Sequence, residues 1–303
     1  MTQRNGGGEK IMAGNNTAEI GTGRQAPGGI SAGAAGDISD VDIRDTIRGI
    51  LENGDPYDPR VVCDAQPIYD TKARAFRQAE VLMRLKVRET IVKPYRFIPY
   101  AEESGAITQL TYILLRKVCR MIAGYSHVYD FDKVTVNFSP TVFCSTDVLA
   151  DTFRIVKEQG ADPSRICIEL TEQALEKDGE VKGRITEMSK TGIQFYLDDF
   201  GAGYSSIARI VAYPFRVIKI DKSLLDSAME NSCMREMVAM VIRVLKKYGY
   251  DVLVEGVENE EGKQFSLENN VNLIQGFLYA KPVPMEELNR YFKKQEEGES
   301  KNE

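Results

Sequence analysis

Eight short β-rich runs, most of them followed by a helical pattern, constrain this chain more than any other feature. They are "VVCDAQPIY" (61–69), "RQAEVLMRLK" (77–86), "VTVNFS" (134–139), "ICIEL" (166–170), "IQFYLDD" (193–199), "VIKID" (217–221), "DVLVE" (251–255) and "NLIQGF" (272–277). Between them, Ile107, Leu110, Leu114, Val118, Met121 and Ile122 fall on one helical face. Met234, Met237, Val238, Val241, Ile242 and Leu245 share another, with Gly249 suited to stop that helix. Eight strands with intervening helices in about 250 residues predict an α/β chain folded as a (β/α)8, TIM-like barrel. The first pair departs from the rule. Residues 70–76, with "DTKAR" as a turn, are too few for a crossover helix. One of these strands must therefore run antiparallel to the rest.

The flanks read differently. Residues 1–38 are rich in Gly, Ala, Asn and Thr. They cannot bury enough surface to offset chain entropy and are expected to be a disordered tail or linker. The barrel is expected over 39–295, and residues 296–303 close the chain as a charged, solvated tail. The net charge of -6 argues against a broad surface for a nucleic-acid polymer. No apolar run approaches the roughly 20 residues of a membrane span, and the N-terminus has no apolar signal region. A cytoplasmic chain without a membrane segment is expected, with a detached end of a longer membrane sensor left open. The five cysteines, Cys63, Cys119, Cys144, Cys167 and Cys233, show no metal or redox spacing and read as reduced thiols. His127 is the only histidine, which excludes chemistry built on several.

In such barrels the active site lies at the C-terminal ends of the strands. Here those ends carry Asn137, Glu169, Asp198, Asp199, Lys219, Asp221, Glu255 and Gln275, while Glu80 lies within the second strand and is followed by Arg84. Any one could be polar only because a strand end reaches solvent. Their repetition on strand after strand is not explained that way. Six acids converging beside one lysine cannot all stay ionised without a counter-charge. Two divalent cations would supply it, and an all-oxygen ligand set suits Mg²⁺ or Mn²⁺. Two such ions are a device for phosphoester hydrolysis.

Over residues 45–292 the chain resembles the EAL-domain cyclic di-GMP phosphodiesterases. The motifs are "QPIYD" (66–70), "EVLMR" (80–84), "FIPYAEESG" (97–105), "VNFS" (136–139), "IELTE" (168–172), "DDFGAGYSS" (198–206), "IKID" (218–221), "VEGVE" (254–258) and "QGFLYAKP" (275–282). The resemblance implies a (β/α)8 barrel with an antiparallel first strand, which hydrolyses cyclic di-GMP to linear pGpG as a homodimer. It implies metal ligation by Glu80, Asn137, Glu169, Asp198, Asp199 and Glu255, with Asp221 close by. Lys219 would contact the attacking water or the scissile phosphate, and Arg84 would hold a substrate phosphate. Gln275 would support the Lys219 region, Glu172 would anchor the loop 200–206, and Gln66 and Leu82 would line the guanine pocket.

Departures from the family pattern are mild. The signature alanine is Val81, which should face away from the metals because it neighbours Glu80 in a strand. Ala202, Arg216 and Lys281 replace Thr, an acidic residue and Arg, and none removes an expected ligand. The main competing reading is a barrel that binds cyclic di-GMP without cutting it. Such members commonly lack an acidic ligand, and here none is missing. A (β/α)8 lyase around one Mg²⁺ fits "DDFGAGYSS" and "VEGVE" poorly.

Overall fold

The computed structural model describes residues 38–201, 210 and 212–294. Eight strands close into a barrel: β1 (Val61–Asp70), β2 (Ala75–Val87), β3 (Lys133–Asn137), β4 (Ile166–Thr171), β5 (Gln194–Phe200), β6 (Val217–Ile220), β7 (Asp251–Val254) and β8 (Leu273–Ile274). β1 pairs antiparallel with both β2 and β8, and every other neighbouring pair in the ring is parallel. The short connection over 70–76 thus gives the antiparallel first strand that the spacing requires. β8 is shorter than the sequence pattern, because the chain leaves the sheet at once. A Cβ on Gly276 would lie 2.1 Å from the Val257 carbonyl oxygen, so only glycine lets this backbone pack under the turn after β7.

Helices cover the barrel. They include α1 (Asp40–Asn53), α2 (Pro94–Glu103), α3 (Ile107–Tyr125), α4 (Val148–Gln159), α5 (Asp178–Ser189), α6 (Lys222–Glu230), α7 (Ser232–Lys247) and α8 (Glu260–Glu268). Ser39 starts α1 with a capping box, its hydroxyl accepting from the Asp42 N–H while the Asp42 carboxylate accepts from the Ser39 N–H. All six residues of the predicted face of α3 are buried. Asn231 caps α7 by accepting from the N–H groups of Cys233 and Met234, and Gly249 follows its end at a φ of 89°.

Two boundaries need correction. On α7 only Val238, Ile242 and Leu245 are buried, and Met237 is 53% exposed. The six-residue stripe read from sequence is wider than the strip of helix that touches the barrel, and Met237 sits on its outer margin. Ile38, assigned to the tail, is buried, and its carbonyl accepts a hydrogen bond from Arg96 Nη2 at 2.8 Å. The remaining predicted tail residues, 1–37 and 296–303, lie outside the described residues. No helix among the described residues is long and apolar enough to cross a membrane.

The barrel interior is layered. Ile68, Cys167, Tyr196, Val217, Leu253 and Leu273 form a closed apolar cluster, with Gln78 beside it accepting from the Tyr196 hydroxyl at 2.7 Å. Side chains on a strand return to the same face every second residue. One step of two toward the mouth therefore replaces these residues by Gln66, Glu169, Asp198, Lys219, Glu255, Gln275 and Glu80. On β1, which runs the other way, the step is downward in number.

Candidate active site

That second layer is the site. Lys219, 1% exposed, stands at its centre. Its Nζ lies 2.8 Å from Asp198 Oδ1, 2.8 Å from Glu255 Oε1, 2.9 Å from Glu169 Oε2 and 3.5 Å from Glu80 Oε2. Burial alone would strip the lysine of its proton, but the four carboxylates outweigh it and hold its pKa well above the usual lysine range.

The acids do not share one environment. Burial pushes Glu169 well above the usual carboxylate range; Lys219 opposes this, and the charges of Glu80 and Asp198 add to it. Burial also drives Glu255 up to about 8 against the pull of Lys219, with Asp198 adding to the rise. Glu80 goes the other way. Burial would raise it, but Lys219 and hydrogen bonds from Gln275 and Asn137 hold it below its ordinary value. The bonds are Asn137 Nδ2 to Oε1 at 2.8 Å and Gln275 Nε2 to Oε2 at 2.7 Å.

Asp198 and Asp199 are neighbours, and a regular strand would send them to opposite faces. The pairing of β5 with β6 shifts register between Leu197 and Phe200, and Asp199 takes a φ of 56°. This bulge turns the second acid back to the mouth, a strained backbone of the kind found at functional sites. Burial, then the Asp198 charge, raises Asp199 to about 6.

Two sets of carboxylate oxygens result, each gathered within 4.8 Å: Glu80, Glu169 and Asp198, and then Asp198, Asp199 and Glu255. Asp198 belongs to both. Glu169 Oε1, Asp198 Oδ1 and Gln275 Oε1 are buried and accept no hydrogen bond among the described residues. Asp198 Oδ1 is close to the lysine, yet the approach is not aligned for a hydrogen bond.

A model of the EAL domain matches residues 57–282. The chain belongs to the EAL domain family. It is 30% identical over 222 residues to the cyclic di-GMP phosphodiesterase PdeL of Escherichia coli strain K12, covering 72% of this chain and 61% of that protein. With the cyclic di-GMP phosphodiesterase PdeR of the same strain it shares 31% over 220 residues, covering 72% and 33%. The chain thus spans less than two thirds of the length of these curated relatives. A solved structure described as the PaMucR phosphodiesterase in complex with c-di-GMP matches with a TM-score of 0.73 at 25% identity, over 81% of this chain and 99% of that one. The EAL domain protein from Listeria monocytogenes EGD-e matches at 0.73 with 24% identity, which shows the fold.

The family's eponymous triplet reads Glu80-Val81-Leu82 in this EAL barrel. Val81 pairs with Ala65 and Val136 and is fully buried in the layer between barrel and helices, on the side away from the carboxylates. Val81→Ala, which restores the signature, should leave activity unchanged within about twofold. It should cost about 1.5 kcal/mol of stability through two lost methyl groups. Chemical denaturation beside a rate assay checks both, and a rate change above fivefold would show that Val81 acts on the site.

Some expected roles shift. Asp221 joins neither oxygen set. It caps α6, accepting from the N–H of Ser223 at 2.8 Å, although its charge helps to raise Asp199. Gln275 reaches Glu80 and Gln66 rather than Lys219, because its position one step above Leu273 aims it at β1 and β2. Gln66 in turn donates from Nε2 to the Ala280 carbonyl at 3.1 Å. Glu258, the last residue of "VEGVE", pairs with Lys222 at 3.4 Å. Glu172 opens a 3-10 turn directly after β4. The loop it was expected to anchor lies, over 202–206, outside the described residues. Leu82 and Arg84 continue the β2 column above Glu80. Arg84 meets a residue that sequence reasoning missed: its Nε lies 2.9 Å from Asp64 Oδ2. The signal was available, since Asp64 is two residues from Gln66 on the same strand face.

Proposed function

We propose that this barrel hydrolyses cyclic di-GMP to linear pGpG with the help of two divalent cations, Mg²⁺ or Mn²⁺. The observation that carries the reading is the pair of oxygen sets that share Asp198. Their buried, unsatisfied acceptors and all-oxygen chemistry fit hard cations. Glu80, Asn137, Glu169 and Asp198 would hold one ion, and Asp198, Asp199 and Glu255 the other. Bound there, the ions would neutralise phosphate oxygens and make a water nucleophilic near neutral pH.

The remaining work falls to the chain's own residues. Lys219 balances the acids and offsets charge at the phosphate. Arg84 holds a non-bridging phosphate oxygen, and a guanidinium suits that by its forked donors. Gln66 and Leu82 line the base pocket, while Gln275 and Asn137 fix Glu80. Glu172 would brace the loop after β5, most of which lies outside the described residues, and Asp221 sets the start of α6 beside Asp199. The names of PdeL and PdeR, and the ligand of the PaMucR complex, support cyclic di-GMP as the substrate. A cytoplasmic homodimer is the setting we propose.

Chelator should abolish turnover, and Mg²⁺ or Mn²⁺ should restore it. Ca²⁺ should inhibit, because it prefers longer and more numerous oxygen contacts. Purified protein, cyclic di-GMP and each ion, with nucleotides resolved by chromatography, form the test. Calorimetric titration of Mg²⁺ without nucleotide gives an independent readout. Full turnover in excess chelator would sink the metal assignment, and binding of the nucleotide without any pGpG would leave a receptor.

A further inference from the structure

We propose that Asp64 is a positioning residue that aims Arg84 at the phosphate of the bound cyclic dinucleotide. This rests on the reading of Arg84 as the phosphate-holding side chain. The strand register places the pair. Asp64 lies opposite Leu82, and Val62 lies opposite Arg84, so the acid sits diagonally below the arginine on the inner face of the β1–β2 ladder. Diagonal neighbours on one face of a ladder are within reach of a long side chain. The carboxylate approaches Nε at 2.9 Å, and Nη1 donates to the Met83 carbonyl at 3.0 Å. Two of the three guanidinium nitrogens are thereby directed down and back toward β2. Nη2 donates no hydrogen bond among the described residues.

Two effects of Asp64 oppose each other. Its negative charge weakens the pull of Arg84 on an anion. Its contact removes the rotamer freedom that an arginine must otherwise lose on binding, and fixes the direction of the donor fork. Both side chains are largely buried, 12% exposed for Arg84 and 26% for Asp64. Screening of a partly buried pair is weak, so both effects operate, and on this proposal fixing the direction of the fork outweighs the charge. Four other acids at the mouth, Glu80, Glu169, Asp198 and Glu255, gather around Lys219, whereas Asp64 pairs with Arg84.

Asp64→Asn separates the two effects, because it keeps the size and an amide oxygen beside Nε without the charge. Asp64→Ala removes both. We expect Asp64→Ala to raise KM for cyclic di-GMP about tenfold and leave kcat within about twofold, and Asp64→Asn to stay within about twofold of wild type in both. In an Arg84→Ala background, Asp64→Ala should add nothing. Asp64→Val, which suits a strand and also lacks an acceptor, serves if Asp64→Ala folds poorly. The experiment is steady-state kinetics on the full chain with Mg²⁺, beside calorimetric titration of cyclic di-GMP in Ca²⁺. Tighter binding by both Asp64→Ala and Asp64→Asn would show that charge governs and overturn the proposal. So would additive losses in the double variant. If wild type neither binds nor cuts cyclic di-GMP, the functional reading fails and takes this proposal with it; wild-type turnover with an unchanged Asp64→Ala defeats the proposal alone.

Discussion

Glu80→Ala is expected to cut kcat/KM for cyclic di-GMP at least a thousandfold, about 4 kcal/mol of transition-state stabilisation. Three contacts converge on this carboxylate: Asn137 on one oxygen, Gln275 on the other, and Lys219 at 3.5 Å. It is also the acid whose charge the surroundings favour, since its pKa is held low while Glu169 and Glu255 are pushed up. An ionised, doubly anchored carboxylate is a ready ligand, and its neighbours cannot replace it because they sit on other strands. The fold should survive, because the substitution relieves repulsion with Glu169 and Asp198. Steady-state kinetics with a thermal melt checks both halves. Retention of more than about a tenth of the activity, a loss under about 1.4 kcal/mol, would remove Glu80 from the site.

Lys219→Met should act on stability as well as rate. The lysine is the cation shared by four buried carboxylates, and methionine keeps its bulk without its charge. Removing one partner of a buried ion pair typically costs about 3–5 kcal/mol, because the other charge stays buried. For a domain of this size that lowers the melting temperature by roughly 6–20 °C. The drop should appear in chelator and shrink when Mg²⁺ is added, because a bound divalent ion would take over the counter-charge. Calorimetric melts with EDTA and with Mg²⁺ make the comparison. A variant that melts within about 3 °C of wild type in EDTA would mean that the acids are protonated there and need no lysine.

The sequence showed more of this site than of its wiring. Strand periodicity announced the polar layer, because each residue of the inner apolar cluster lies two positions from a member of the site, after it on the parallel strands and before it on β1. The short turn between the first two strands announced the antiparallel β1. Partners were another matter. Periodicity assigns a face, while contacts depend on strand tilt and register, so nothing local aimed Gln275 at Glu80 or set Asp64 under Arg84. The bulge at Asp198–Asp199 was equally hidden: two adjacent acids imply opposite faces until register slips. Asp221 looked like a sixth acid of the site, but its spacing to Ser223 is also that of a helix cap, and the cap is what the backbone uses. Met237 matched the helical period, yet period does not report how broad a contact the helix makes.

The reversed first strand has a topological result for how this domain can be joined to others. β1 enters the barrel from the mouth. Residues 38–42 stand by the rim, where Arg88, just past the end of β2, pairs with Asp42, and Arg96 holds the Ile38 carbonyl. At the other terminus, Lys293–Lys294 pairs with Tyr129–Asp130, ahead of the start of β3 and beside Arg77 at the floor. The two attachment points are therefore at opposite poles. A module spliced ahead of Ile38 on a short leash shares the rim with incoming substrate, whereas the same module spliced after Lys294 hangs from the far end and leaves the entrance open.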